Sequence, residues 1–404
     1  MTAPYLAGTG MAEITPPLEV GILMSALERQ WAPFEGVRRP LYARVLAIAQ
    51  GPQRVVLVSL DLLGLASKAF GDRRRFKGRV VVASGHAVKA SDLILAATHT
   101  HSAPASLAIT DLYRTAAFKE WADLLTQQIG RAIRHGVESM RPCSLVAGIT
   151  YVKGLAIYRR IKTTDGIVLS HPPPPPHKVI SRDGPVDDSV NIAAFKDATG
   201  HYVALVVNAT CHPVHEMCIP WISPDYPGEM SLELERRYPS ATALFFNGAA
   251  GNINPPTVSG GPADSEQHGW RLAEAVDQAL SGLNPVEGDI TLKRSPISLP
   301  ARTLRGRPAA RPLNTEMAAL RIGEVAFLFI PGELFVEIGL AIRENSPFGF
   351  TALAGYAEDW IGYLPTEQAF GEGGYELGPG AWAKVGRGSE QILRTKALAL
   401  LSEI

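Results

Sequence analysis

The chain has 404 residues, and its 39 Lys and Arg are balanced by 39 Asp and Glu, so the formal charge is zero. That balance excludes the one-signed electrostatic footprint of a nucleic-acid or anionic-membrane binder. With 46% hydrophobic and 19% charged residues the chain can bury a large core, and it has no run of about 18 apolar residues that would insert into a membrane.

The N-terminus, Met1 to Gly8, lacks a basic region followed by an apolar stretch, so no leader peptide is read. Residues 55–60 form an apolar strand ending at Asp61. Residues 68–90 are punctuated by Gly71, Gly78 and Gly85, which excludes one continuous helix. Residues 93–97 read as a buried strand that runs into Thr98-His99-Thr100-His101-Ser102-Ala103-Pro104. Ligands in open α/β sheets gather where strands end. Alternation along an extended segment puts His99 and His101 on one face, which either begins a metal site or makes a hydrogen-bonded pair in a polar loop.

Residues 116–139 carry Phe118, Trp121, Leu125, Ile129 and Ile133 at helical spacing, an amphipathic helix. Residues 144–152 read as a strand. The five prolines at 172–176 exclude helix and sheet and predict an exposed polyproline II loop. Residues 190–195 and 202–209 read as paired strands turning at Thr199-Gly200, the second ending in Cys211-His212-Pro213-Val214-His215-Glu216. A short strand at 243–246 leads to Asn247-Gly248-Ala249-Ala250-Gly251-Asn252-Ile253-Asn254-Pro255, where small residues let backbone amides approach a ligand. A helix at 267–280, strands at 290–299, 318–322 and 325–330, a helix opening at Pro331-Gly332-Glu333, a strand at 350–355 and a helix at 389–401 complete the pattern. Cys143, Cys211 and Cys218 are too sparse and too widely spaced for a zinc knuckle and fit a reducing, cytoplasmic setting. There is no internal repeat and no clean linker. The expected architecture is a single α/β domain over 1–404, with stacked mixed sheets covered by helices in αββα layers.

Three strand ends thus present candidate ligands: His99 and His101, His212 and His215, and Glu333. Tyr356, Tyr363 and Tyr375 follow downstream. The Ile14-Thr15-Pro16 opening, Ala97 to Pro104, Tyr158-Arg159-Arg160, Ala209-Thr210-Cys211-His212-Pro213, Ser223 to Gly228, Gly251 to Pro255, Pro331-Gly332-Glu333 and Gly362-Tyr363-Leu364-Pro365-Thr366 occur in that order. In these pieces the chain resembles the catalytic domain of the neutral/alkaline ceramidase family.

The resemblance implies a hydrolase that cleaves an amide C–N bond with metal-activated water. It implies one zinc per chain held by His99, His212, Glu333 and Tyr363. His101 is the acid/base, Tyr363 also serves catalysis, and Arg159 grips a polar or anionic part of the substrate. Asp225 either anchors substrate or caps a turn. Asp61, His215 and Glu216 either border the pocket or are structural. Asn254 stands where ceramidases carry a serine before proline, which removes a serine acyl-enzyme and leaves an amide that can donate to an oxyanion. Secreted ceramidases carry a leader and a C-terminal immunoglobulin-like domain, and neither is read here, so the expected substrate is a small soluble amide rather than ceramide. An esterase or lactonase on the same site, or a silent ligand-binding relative, are the alternatives. The sequence carries no signal for oligomeric state.

Overall fold

The computed structural model describes residues 5–302 and 311–404. The first four residues of the stretch read for a leader lie outside the described residues.

Two mixed sheets stack face to face. The larger runs Thr242–Asn247, Tyr202–Ala209, Ser189–Asp197, Arg141–Tyr151, Tyr5–Glu13, Tyr42–Gln50, Gln53–Leu60 and Leu93–Ala97, with Asn284–Val286 as a ninth strand beside Arg141–Tyr151. Its two outermost pairs are parallel and the others antiparallel. The smaller sheet runs Ile290–Leu299, Leu313–Ile322, Val325–Phe329 and Phe350–Ala354, and its last pair is parallel.

The strands Tyr42–Gln50, Gln53–Leu60 and Leu93–Ala97 are apolar throughout because both faces are covered. Their side chains divide by the two-residue period of a strand. Leu46, Ile48, Val55, Leu57, Ile94 and Ala96 enter the core between the sheets with Phe246, Phe327 and Phe329. Val45, Ala47, Val56, Val58, Leu93 and Leu95 point the other way, into the core shared with Phe118, Trp121, Leu125 and Ile129 of the helix Ala116–Glu138. Gly8 and Gly10 let that helix lie against the first strand. A Cβ on Gly10 would stand 2.0 Å from the Ala132 carbonyl oxygen, and one on Gly8 2.3 Å from that of Gly136.

Helices Asp225–Arg237 and Pro262–Ala279 pack on each other and cover the far end of the larger sheet. Val336–Glu344 and Ser389–Ser402 cover the smaller sheet. The layers are therefore helix, sheet, sheet, helix, as expected.

Three details differ from the sequence reading. Glu333 does not open a helix: Glu333–Leu334 is a short strand paired in parallel with Tyr363–Leu364, and the helix starts at Val336. The helix Asp225–Arg237 was concealed by Pro227 and Gly228, but a proline in the first turn forfeits no helical hydrogen bond. The helix read at 267–280 begins at Pro262, which occupies the first turn. The prolines at 172–176, mostly exposed and entered through a cis His171–Pro172 bond, connect Gly166–Leu169 to Val179–Ser181. These two strands flank Arg160–Thr163 in a three-stranded sheet.

Candidate metal centre

The strand Leu93–Ala97 leads into His99 and His101, which line a cavity of about 230 Å³. His99, His101, Arg159, His212, Asn254, Glu333 and Tyr363 all line it. The structure therefore gathers the seven site residues expected from sequence, brought from segments spread over more than half the chain.

His99 and His101 do not meet by strand alternation. His99 has a φ of +74°, so the chain turns there, and the turn brings the two rings to 4.9 Å between centroids. His99 Nε2 is 3.1 Å from His212 Nε2 and 3.4 Å from His101 Nε2. The three imidazoles have one nitrogen each within a 4.8 Å cluster, the only such grouping of His, Cys, Asp or Glu among the described residues.

The fourth group is Glu333. Its Oε2 is 3.4 Å from His99 Nε2 and 3.6 Å from His212 Nε2, and it is buried with no hydrogen-bond partner. A buried carboxylate oxygen without a donor is costly unless a cation completes it. His212 is not that cation: burial, then the neighbouring Arg159 and His99, hold its pKa well below the usual range. A metal fits this donor set of two or three imidazoles, one carboxylate and one phenol.

Orienting bonds separate the histidines. His99 Nδ1 donates to the Leu63 carbonyl at 2.6 Å, and His212 Nδ1 donates to the Ala250 carbonyl at 2.8 Å. Metal-bound histidines are characteristically fixed through the other ring nitrogen in this way. Among the described residues no such bond holds His101 Nδ1. Burial, then His99 and Arg159, push the His101 pKa well down, which leaves it a neutral proton acceptor. Tyr356 stacks on His99 with centroids 4.0 Å apart.

Tyr363 is brought to Glu333 by the parallel pairing of their short strands. Burial raises its phenol pKa, Glu333 adds to the rise, and Arg159 opposes it. A bound cation acts in the same sense as Arg159.

Arg159 lines the cavity and spends three of its five N–H groups on the protein. Its Nε donates to Glu376 at 2.9 Å, Nη2 to the Tyr363 oxygen at 3.0 Å, and Nη1 to Asn254 Oδ1 at 3.4 Å. Arg160 points away from the cavity to Glu372 and the second oxygen of Glu376. Asn254 Nδ2 donates to Ser170 Oγ at 3.2 Å, and an amide nitrogen carries a second hydrogen.

The remaining candidates lie outside the cavity. Asp225 accepts from the Glu216 and Tyr226 amides at the start of its helix, and burial with the nearby Glu216 raises its pKa to about 7. Glu216 pairs with Arg38, and Asp61 pairs with Arg44 at 3.1 Å. His215 bonds Thr257 and His268 beside a separate cavity. The small residues at 247–254 serve chain packing rather than a ligand: a Cβ on Gly251 would stand 2.5 Å from the Glu333 carbonyl oxygen. Sequence reasoning missed Glu376, which anchors Arg159, and Trp360, whose indole N–H donates to Glu333 Oε1 at 2.9 Å. Neither follows a strand-end histidine or any motif with a chemical signature.

The layered fold is one that solved ceramidase structures share. Two solved structures share the fold: a ceramidase complexed with C2 (TM-score 0.78, 18% identity, covering 99% of this chain and 75% of that one) and the neutral ceramidase of Pseudomonas aeruginosa (TM-score 0.76, 20% identity, 100% and 75%). The curated neutral ceramidase of Pseudomonas aeruginosa is 27% identical over 380 residues, or 87% of this chain. The chain is thus similar to neutral ceramidases in fold and, over most of its length, in sequence. It spans about half, 53%, of the length of that curated relative. No family model matches the sequence.

Proposed function

We propose that the protein is a metal-dependent hydrolase of the C–N bond in a small amide, with zinc as its ion, one per chain. The observation that carries this reading is the orphaned Glu333 Oε2, buried against His99 and His212 on the wall of an open cavity. The Pseudomonas relative is named for action on ceramide, itself an N-acyl amide, which supports the reaction class.

His99, His212, Glu333 and Tyr363 would hold the ion. When bound, a divalent cation of this kind polarises a carbonyl and lowers the pKa of water. His101 is neutral and beside the cluster, so it accepts the proton of the attacking water and returns it to the leaving nitrogen. The Asn254 amide hydrogen that Ser170 does not use is available to the tetrahedral oxyanion. Arg159 acts as a positioning group, fixing the Tyr363 phenol and the Asn254 amide at once.

The cavity also limits the substrate. Leu23, Met24, Leu27, Leu107, Ile109 and Met217 form an apolar wall. Arg159 is the wall's arginine, and each of its nitrogens is already bonded to the protein. The reading is therefore a compact acyl group seated on the apolar wall, with the second N–H of each Arg159 terminal nitrogen left for a polar part of the substrate. A reducing, cytoplasmic setting is part of the proposal and rests on the three free cysteines.

The test is amine release from a panel of N-acyl amides by zinc-loaded protein, run beside matched esters and lactones. Amide turnover that collapses in His101→Ala while metal is retained supports the reading. Turnover of esters or lactones alone would move the assignment to the esterase alternative, and no turnover at all would favour a ligand-binding role.

A further inference from the structure

Glu333 offers its two oxygens to different partners. Oε2 faces the histidines, while Oε1 accepts from the Trp360 indole at 2.9 Å. A carboxylate free at both oxygens can rotate and bind a cation through either or both. One tied at a single oxygen presents the other at a fixed place.

Trp360 is itself held on several sides. Its backbone N–H donates to Asp359 Oδ1 at 2.8 Å, and the same carboxylate oxygen accepts from the Ser67 amide and hydroxyl. The Lys384 ammonium sits 4.1 Å from the centroid of the indole ring and 3.4 Å from the Trp360 carbonyl oxygen. A cation over an indole face is attracted by the ring quadrupole. Lys384 is also well placed by the chain around it. Trp382, two residues earlier, accepts the Tyr363 amide at 3.0 Å, and the Lys384 carbonyl accepts from Arg302 at 2.7 Å. Gly362 makes this approach feasible, since a Cβ there would stand 2.0 Å from the Trp382 carbonyl oxygen.

We infer that Trp360, clamped by Lys384, is the positioning residue that keeps Glu333 Oε2 turned toward the histidines that would hold the ion with it. This rests on the metal-site reading above and adds a role for two residues that do not bind the ion. The indole makes a directed bond to one oxygen of the ligand, and the ammonium fixes the indole without touching the ligand. Loss of an outer partner of this kind lowers metal affinity by roughly 10- to 100-fold.

The experiment is a chelator competition that measures zinc affinity of the full chain at one pH, with the thermal melt of the metal-free protein recorded alongside. Trp360→Phe keeps the aromatic bulk and removes the N–H. The expected result is a metal-free protein that still melts cooperatively, a few degrees lower, with zinc affinity reduced by tenfold or more. Wild-type affinity in a folded Trp360→Phe overturns the inference. Should that variant not fold, Lys384→Met decides in the same assay. A weakening of about threefold or more supports the clamp, and unchanged affinity overturns it. A wild-type chain that takes up no zinc fails earlier, at the metal-site reading itself, and the two failures are thereby told apart.

Discussion

At the scale of single residues, the site is a set of donors each aimed by a second group. Leu63 aims His99, Ala250 aims His212, Trp360 aims Glu333 and Arg159 aims Tyr363. His101 has no such partner among the described residues, which suits a group that must exchange a proton. Replacing it with alanine should leave metal content intact and lower turnover by about 10²- to 10⁴-fold, the usual contribution of a general acid–base; single-turnover kinetics on zinc-loaded protein measures this. Arg159→Met should destabilise the fold by about 1–3 kcal/mol, because it leaves Glu376 Oε1 buried without its donor while Arg160 keeps Oε2. Denaturant melts read that cost, and Arg159→Lys should recover little of it, since an ammonium cannot match a planar fork bonded in three directions. The histidines and Glu333 were legible in the sequence because they follow apolar runs that end abruptly. Trp360 and Glu376 were not, because a hydrogen bond from a distant loop leaves no local pattern. The turn at His99 was also invisible, since nothing in Thr98-His99-Thr100 announces a positive φ.

At the scale of elements, the site depends on how short segments are tied to long ones. Asp187, just before the strand Ser189–Asp197, accepts from Ser189 and from both terminal nitrogens of Arg343 on the helix that follows Glu333. Burial alone would raise the Asp187 pKa, but Arg343 and Ser189 outweigh it, and the net shift is downward. A depressed folded-state pKa stabilises above the unfolded carboxylate value of about 4 and ceases to do so as pH falls through the folded value. Asp187→Asn should therefore cost stability at pH 7, about 3–5 kcal/mol for a broken buried pair. The gap to wild type should close as the pH is taken below 4, as followed by urea melts across that range. The hairpin of Ile22–Ser25 and Gln30–Ala32 carries Leu23 and Met24 on the cavity wall and Leu27 at its tip, 72% exposed yet bordering the cavity. Leu27→Asp should raise KM with little change in kcat, the mark of lost uniform binding; steady-state kinetics on the best amide checks this. Long strands were readable from apolar runs, and the helix Ala116–Glu138 from its stripe. The two-residue strands at Glu333–Leu334 and Tyr363–Leu364 were not, because their pairing is set by segments some thirty residues apart.

At the scale of the whole molecule, two sheets packed face to face give the site a rigid floor. The layered class was legible because strand pairs alternate with helices along the chain, but the strand order was not, because several neighbours in the larger sheet are far apart in sequence. Phe329 is fully buried between the sheets against Phe246. Phe329→Ala should cost about 3–5 kcal/mol by leaving a cavity, measured by denaturant melts.

The ion proposed for His99, His212, Glu333 and Tyr363 is one zinc per chain. Metal content by plasma mass spectrometry, on wild type and His99→Ala purified together, tests it most directly. About one zinc per wild-type chain, lost from a folded His99→Ala, is the predicted result. A wild-type protein that holds no metal after zinc is restored, or a His99→Ala that holds as much as wild type, would contradict it.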